Sequence, residues 1–135
     1  MSDALNSKAL PVEGKKNILI VDDEAVTLKM TKQGLERFGY NVAIFSKPLE
    51  ALDYFNDNFK NIDLVISDKS MPKMNGEELV KRMRSLHPTV PIIVLSGFVS
   101  NDDDNVLIQN GASKILLKPL SIRDIANEVN ELLGL

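Results

Sequence analysis

The stretch that decides the fold reads Asn17-Ile-Leu-Ile-Val-Asp-Asp-Glu24, an apolar run followed at once by three acidic residues. Because the run is continuously apolar and does not alternate with polar residues, it predicts a strand covered on both faces, as in a parallel sheet. The acidic residues would then lie at the carboxyl edge of that sheet, where open α/β sheets bind ligands. We therefore expect an α/β fold with a polar site beside Asp22 and Asp23.

Similar apolar runs recur along the chain and alternate with amphipathic stretches. Strands are predicted at 17–21, 41–45, 62–66, 91–95 and 113–117. Helices are predicted at about 24–38, 48–56, 76–86, 102–110 and from 121 onward. Repeated strand–helix alternation requires right-handed crossovers, with helices on both faces of a doubly wound sheet. We expect a flavodoxin-like fold with five parallel strands in the order 2-1-3-4-5 and five helices.

The first predicted helix carries a clear apolar period. Its inner face is predicted to consist of Leu28, Thr31, Leu35 and Phe38. Gly34 interrupts this helix at a cost of roughly 1 kcal/mol relative to Ala. At the start of the last helix, Ser121 and Asp124 have the spacing of a capping box.

The totals favour one domain that does not bind nucleic acid or membranes. The chain has 135 residues and a formal charge of −3, which gives no broad positive field for DNA or anionic lipid. It has no cysteine for disulfides, no apolar run near the ~20 residues of a membrane span and no signal peptide pattern. We expect a cytoplasmic protein with a flexible leader at 1–14, one domain at 15–135 and no output domain after it.

Polar side chains follow four of the predicted strands. They are Asp22 and Asp23 after the first, Asp68 after the third, Ser96 after the fourth and Lys118 after the fifth. A single acidic residue in such a position usually caps a helix or belongs to a turn. Since the carboxyl ends of parallel strands share one edge, we expect the five side chains to converge there.

The expected cluster suits phosphoryl chemistry. Three crowded carboxylates repel one another, and a divalent cation that prefers oxygen ligands, such as Mg²⁺, would offset the repulsion. Lys118 and Ser96 offer hydrogen-bond donors to an anion beside the cation. Asp68 stands alone at its strand end and is the best candidate for a nucleophile, whereas Asp22 and Asp23 are better placed to hold metal.

Over about residues 17–133 the chain resembles the receiver domains of two-component response regulators. The resemblance rests on Ile18-Leu-Ile-Val-Asp-Asp-Glu24, Asp68-Lys-Ser-Met-Pro-Lys-Met-Asn-Gly76, Val94-Leu-Ser-Gly97, Gly111-Ala112 and Leu117-Lys-Pro119. It implies that Asp68 is the phosphoacceptor and that Mg²⁺ binds Asp68. It further implies that Asp23 binds the metal directly, Asp22 mainly through water, and Ser70 through its main-chain carbonyl.

The resemblance also implies contacts to the phosphoryl group and a set of partners. Ser96 would move toward the phosphoryl group, Lys118 would form an ion pair with it, and the Lys118–Pro119 bond would be cis. The phosphodonor would be a sensor histidine kinase or a histidine phosphotransfer domain, and the downstream target is a protein that the sequence does not identify. A candidate docking surface on the first helix comprises Thr27, Met30 and Gly34.

Two positions bear on how such a domain would signal. Ile115 stands where receiver domains commonly carry Tyr or Phe, so the usual movement of a ring cannot couple the site to the output surface. Phe98 lies two residues after Ser96, where an apolar ring is expected to limit access of water and slow hydrolysis of the phosphoryl group.

The same residues allow other functions. The domain could be a fragment of a hybrid kinase or a longer regulator, or a Mg²⁺-dependent phosphohydrolase with an aspartyl-phosphate intermediate. Phosphohydrolases of that kind need a second acid where this chain has Ser70, and a flavin module would need a Ser/Thr-rich loop after the first strand. The run 102–104 is predicted to cap the fourth helix and complement its dipole, and His87 is predicted to be a turn residue rather than a phosphorelay histidine.

Overall fold

The chain folds into one sheet with helices on both of its faces. The computed structural model describes residues 14–135, so the predicted leader lies outside the described residues apart from Gly14. The strands are β1 (Asn17–Val21), β2 (Asn41–Phe45), β3 (Leu64–Asp68), β4 (Ile92–Ser96) and β5 (Lys114–Leu117). The helices are α1 (Ala25–Arg37), α2 (Pro48–Asn58), α3 (Gly76–Leu86), α4 (Asn101–Asn110) and α5 (Ile122–Leu133), with one 3₁₀ turn at Phe59–Asn61.

All strand pairs in the described residues are parallel, in the order β2-β1-β3-β4-β5. This confirms the predicted flavodoxin-like fold. Strand side chains alternate between the two faces, so each face carries its own apolar core. One core packs under α1 and α5 and includes Leu28, Leu35 and Val129. The other packs under α2, α3 and α4 and includes Phe55 and Met83.

The third strand lies two residues later than predicted. Ile62 is buried and fits the apolar pattern, but it precedes β3, which runs from Leu64 to Asp68. The strand extends this far because Asp68 pairs with Leu95, and the Lys69 N–H donates to the Leu95 carbonyl at 2.9 Å. Asp68 is therefore the last residue of the sheet rather than the first residue of a loop.

Two residues of the predicted first helix, Phe38 and Gly34, have surroundings that differ from the prediction. Leu28, Thr31 and Leu35 are buried as predicted, but Phe38 is 48% exposed because α1 ends at Arg37 and Phe38 leaves the helical period. Gly34 faces α5, where an added Cβ would lie 2.5 Å from the Ile122 Cγ2 atom. Gly34 thus allows α1 and α5 to approach and does not belong to a free docking surface.

Two helix starts are fixed by side-chain caps. The Ser121 hydroxyl accepts a hydrogen bond from the Asp124 N–H at 3.0 Å, which is the N-cap half of the predicted capping box. The Asn75 carboxamide oxygen accepts one from the Glu78 N–H at 3.0 Å at the start of α3. Within residues 14–135, no helix is both long and apolar enough to cross a membrane.

Candidate functional site

Asp22 leaves β1 directly into the carboxyl edge of the sheet. Its N–H donates to the Phe45 carbonyl at 3.1 Å, and its carboxylate accepts the Glu24 N–H at 2.9 Å. These bonds hold the side chain inward, where the residue is 3% exposed, while the neighbouring Asp23 is exposed. The pair thus combines a fixed, buried carboxylate with one open to solvent.

The three predicted acids meet at this edge. Asp22, Asp23 and Asp68 each offer one carboxylate oxygen, and these oxygens all lie within 4.8 Å of one another. Burial raises the pKa of Asp22 to about 6, and the nearby charge of Asp68 adds to the rise. Oxygen donors at this spacing, with one carboxyl resisting ionisation, could hold a hard divalent cation.

Lys118 reaches the same cluster from the end of β5. Its N–H donates to the Ser96 carbonyl at 2.7 Å, which extends the β4–β5 ladder past Leu117. Its Nζ donates to the Asp68 carboxylate at 3.2 Å and lies 4.0 Å from a carboxylate oxygen of Asp22. The Lys118–Pro119 bond is cis, as predicted.

Ser96 is at the predicted edge, but its hydroxyl is bonded elsewhere. The Oγ atom donates to the Phe98 carbonyl at 2.6 Å and accepts the Phe98 N–H at 3.3 Å. The structure therefore brings Asp22, Asp23, Asp68 and Lys118 together and binds the Ser96 hydroxyl to the β4–α4 loop. Ser70 is exposed in the loop two residues after Asp68, and metal binding by its carbonyl stays a prediction.

Gly76 lets α3 begin against the end of β3. Its N–H donates to the Lys69 carbonyl at 2.8 Å. An added Cβ would lie 2.9 Å from the Asp68 carbonyl oxygen and 3.0 Å from the Lys69 Cα. Since both are backbone atoms, only glycine fits at this position without displacing the segment that carries Asp68.

The sequence interpretation missed Lys69, the residue directly after Asp68. Its side chain is buried, with Nζ 3.6 Å from carboxylate oxygens of both Asp103 and Asp104 and 4.8 Å from the centre of the Phe98 ring. Strand alternation could have placed Lys69 on the face opposite Asp68, but its partners come from a helix more than thirty residues away. No local pattern identifies such partners.

The acidic run at 102–104 does not cap α4. The N-cap residue is Ser100, whose side chain makes no cap bond, and the acids fill the first turn, where they suit the helix dipole. The prediction of capping was wrong because α4 begins at Asn101, which places the acids inside the helix, whereas the predicted complement to the helix dipole is confirmed. Asp103 and Asp104 also form ion pairs with Lys69.

Two further positions lie apart from the acidic cluster. Ile115 is partly buried against the core under α2, α3 and α4. His87 lies between α3 and β4, at the edge of the sheet opposite the cluster, and its Nδ1 accepts the Val90 N–H at 3.2 Å. The proposed effect of Phe98 on hydrolysis stays a prediction.

The sequence matches the model of the response regulator receiver domain over residues 18–130. The chain therefore belongs to this family. The match includes β1 from its second residue, the other four strands, the acids of the cluster and Lys118, so the site described above falls inside the family's domain.

Curated relatives are similar over most of this chain. The sensor kinase CckA of Brucella abortus (strain 2308) is 30% identical over 126 residues, which cover 93% of this chain and 13% of that protein. The transcriptional regulatory protein CpxR of Escherichia coli (strain K12) is 34% identical over 116 residues, covering 86% of this chain and 48% of that protein. The chain thus spans about half of the length of one relative and far less of the other.

Solved structures share the fold. A CheY-like receiver domain protein from Methanospirillum hungatei JF-1 superposes with a TM-score of 0.85 at 33% identity, covering 90% of this chain and 95% of that one. The CheX-CheY-BeF3-Mg+2 complex from Borrelia burgdorferi contains a similar chain, with a TM-score of 0.79, 27% identity and coverage of 87% and 88%.

Proposed function

We propose that this chain is a phosphorylation-dependent signalling domain in which Asp68 accepts a phosphoryl group. The donor would be a sensor histidine kinase or a histidine phosphotransfer protein of a two-component phosphorelay, and the phosphorylated form would signal through protein contacts. The observation that supports the proposal is the position of Asp68, between two further carboxylates and the Lys118 ammonium 3.2 Å away.

For phosphoryl transfer to Asp68, the protein mainly has to position the carboxylate and neutralise charge. A carboxylate oxygen of Asp68 would attack phosphorus and form a P–O bond, while the bond from phosphorus to the donor breaks and the electron pair leaves with the donor. Asp68 is 8% exposed and fixed at the end of β3, so it presents its carboxylate with little freedom. A fixed nucleophile lowers the entropic part of the barrier.

The acidic cluster fits Mg²⁺. Asp22, Asp23 and Asp68, with the main-chain carbonyl of Ser70, would hold the ion through oxygen ligands. When bound, Mg²⁺ would neutralise charge on the incoming phosphoryl oxygens. The raised pKa of Asp22 indicates that the acids alone are poorly compensated, which favours a cation there. The Borrelia burgdorferi complex, which contains a chain similar to this one, includes both Mg²⁺ and BeF3.

Lys118 and Ser96 would bind the phosphoryl oxygens from the other side. Lys118 already contacts Asp68 and would exchange part of this contact for an ion pair with the new dianion. Ser96 would have to give up its 2.6 Å bond to the Phe98 carbonyl before its hydroxyl could donate to the phosphoryl group. Phosphorylation would therefore change the β4–α4 loop.

The direct test is incubation with Mg²⁺ and acetyl phosphate, followed by intact mass measurement. We expect the wild type to gain one phosphoryl group and Asp68→Asn to gain none. Asp57→Asn, an exposed carboxylate on α2, is the matched control and should be modified like the wild type. A wild type that gains no adduct, or an adduct that survives in Asp68→Asn, would contradict the proposal.

The phosphohydrolase alternative is not favoured. It needs a second acid two residues after the nucleophile, and Ser70 occupies that position. We therefore propose a signalling protein whose catalysis is limited to its own phosphorylation and dephosphorylation. Its net charge of −3 gives no support for direct binding of nucleic acid.

A further inference from the structure

The side chain of Lys69 is a buried cation directly beside the proposed phosphoacceptor. Lys69 continues the β3 ladder by one residue, so alternation turns its side chain to the face of the sheet that carries α4, opposite Asp68. The residue is 8% exposed. A buried ammonium is stable only with anionic or aromatic partners, and here these come from Asp103, Asp104 and Phe98.

These contacts join the site to α4 in one continuous series, which we call the Lys69 bridge. The Ser96 hydroxyl bonds to the Phe98 carbonyl, and the Phe98 ring lies against the Lys69 ammonium. The ammonium in turn contacts Asp103 and Asp104 in the first turn of α4. Every member touches the next, so a change at Ser96 reaches α4 without passing through Ile115.

We propose that the Lys69 bridge holds the first turn of α4 in place in the unphosphorylated protein and that phosphorylation of Asp68 releases it. The inference rests on the proposed function. The dianion and the ammonium would lie on opposite faces of the sheet, so the phosphoryl group acts on the bridge through Ser96. It draws the Ser96 hydroxyl from the Phe98 carbonyl, which frees the loop whose ring packs on the ammonium.

Removal of the Lys69 bridge should change the affinity of the site for a phosphoryl group. A contact present only in the unphosphorylated state opposes phosphoryl binding, so its removal must strengthen binding by the same factor. Couplings between sites are typically worth about 5- to 150-fold in affinity. Because Asp103 is about half exposed, we expect a value near the lower end, about 5-fold.

The test uses beryllium fluoride with Mg²⁺ as a non-covalent phosphoryl mimic, titrated by NMR onto the full chain. We expect the double variant Asp103→Asn/Asp104→Asn to bind the mimic about 5-fold more tightly than the wild type. Asp102→Asn is the control for charge: it removes one carboxylate from the same helical turn, against two in the double variant, and Asp102 forms no ion pair within the described residues. It should bind the mimic as the wild type does.

Two further readouts separate release of the bridge from a general change in the protein. In the wild type, the mimic should speed amide hydrogen exchange in the first turn of α4, whereas in the double variant this exchange should be fast before the mimic is added. Lys69→Arg, with Asp103 and Asp104 intact, keeps the cation and should retain wild-type affinity and exchange. If the double variant does not fold, Asp103→Asn alone takes its place, since that carboxylate is the more exposed of the two.

The outcomes distinguish this inference from the proposed function. Equal affinity of the wild type and the double variant, or equal effects of the Asp102 and Asp103/Asp104 changes, would overturn the bridge while Asp68 still accepted a phosphoryl group. A wild type that neither binds the mimic nor gains a phosphoryl group from acetyl phosphate would overturn the proposed function itself.

Discussion

The acidic cluster and the Lys69 bridge begin at the adjacent residues Asp68 and Lys69, and the charges that they bury have opposite signs. In the cluster the buried charges are acids: Asp22 is 3% exposed, and within residues 14–135 only Lys118 forms ion pairs with the carboxylates. In the bridge the buried charge is the base, and its acidic partners Asp103 and Asp104 are partly open to water. The cluster could therefore hold an added cation, whereas the bridge carries its own counter-charges at 3.6 Å, without a hydrogen bond to the Lys69 Nζ atom among the described residues.

The largest expected effect comes from Gly76, which touches the segment shared by both regions. Gly76→Ala would press a Cβ against the Asp68 carbonyl and the Lys69 Cα, so we expect the free energy of unfolding to fall by about 3 kcal/mol. Chemical denaturation measures this loss. Gly97→Ala is the control: its Cβ would meet nothing within 4 Å, so a change below about 1 kcal/mol is expected.

If Gly76→Ala were as stable as Gly97→Ala, the two regions would not share a rigid backbone segment. The bridge and the cluster could then move independently. Communication from Asp68 to α4 through neighbouring residues would lose its structural basis.

A smaller effect on the free energy of unfolding is expected at Asp22, where loss of the charge should stabilise the protein, in contrast to Gly76→Ala. Its pKa is about 6 in the folded protein against 3.8 ordinarily, so the folded state binds more protons between these values. Stability without divalent cations should therefore fall as pH rises from about 4 to about 6 and should stay reduced above that range. Thermal unfolding across this pH range, with a chelator present, measures the dependence.

Removing the charge of Asp22 should remove the loss of stability that its ionisation causes. Asp22→Asn keeps an oxygen for the Glu24 N–H, and we expect it to raise the free energy of unfolding at pH 7 by about 2 kcal/mol without Mg²⁺. Added Mg²⁺ should stabilise the wild type more than the variant. Asp23→Asn removes an exposed carboxylate and should change the stability of the metal-free protein only slightly. Equal stabilisation by both substitutions would mean that burial of Asp22 does not set the penalty.

The smallest effect is expected at Lys69 itself. Lys69→Met keeps the volume of the side chain and leaves two carboxylates that can turn toward water, so the free energy of unfolding should change by less than about 1 kcal/mol. Denaturant unfolding would measure it. A loss above about 3 kcal/mol would show that the bridge contributes mainly to stability.

The sequence predicted the fold well because apolar periodicity and helix signals are local. It placed β1 and β2 at their observed bounds, and the positions of Asp22, Asp23, Asp68 and Lys118 at strand ends were enough to predict their convergence. It placed β3 two residues early, because a buried Ile62 looks like a strand residue and only pairing with β4 shows where the ladder ends.

Other features depended on packing between distant segments. In the sequence, Gly34 only predicts a weaker helix, but in the structure it makes room for Ile122 of α5. The acids of α4 were predicted to cap the helix, but Asp103 and Asp104 form ion pairs with Lys69. The sequence by itself determined the strands, the helices between them and the polar residues at the strand ends, because apolar periodicity and the change from apolar to polar residues are local. Only the tertiary structure decided that the Ser96 hydroxyl bonds to Phe98 and that Lys69 joins α4, because such contacts depend on distances between elements that no local pattern encodes.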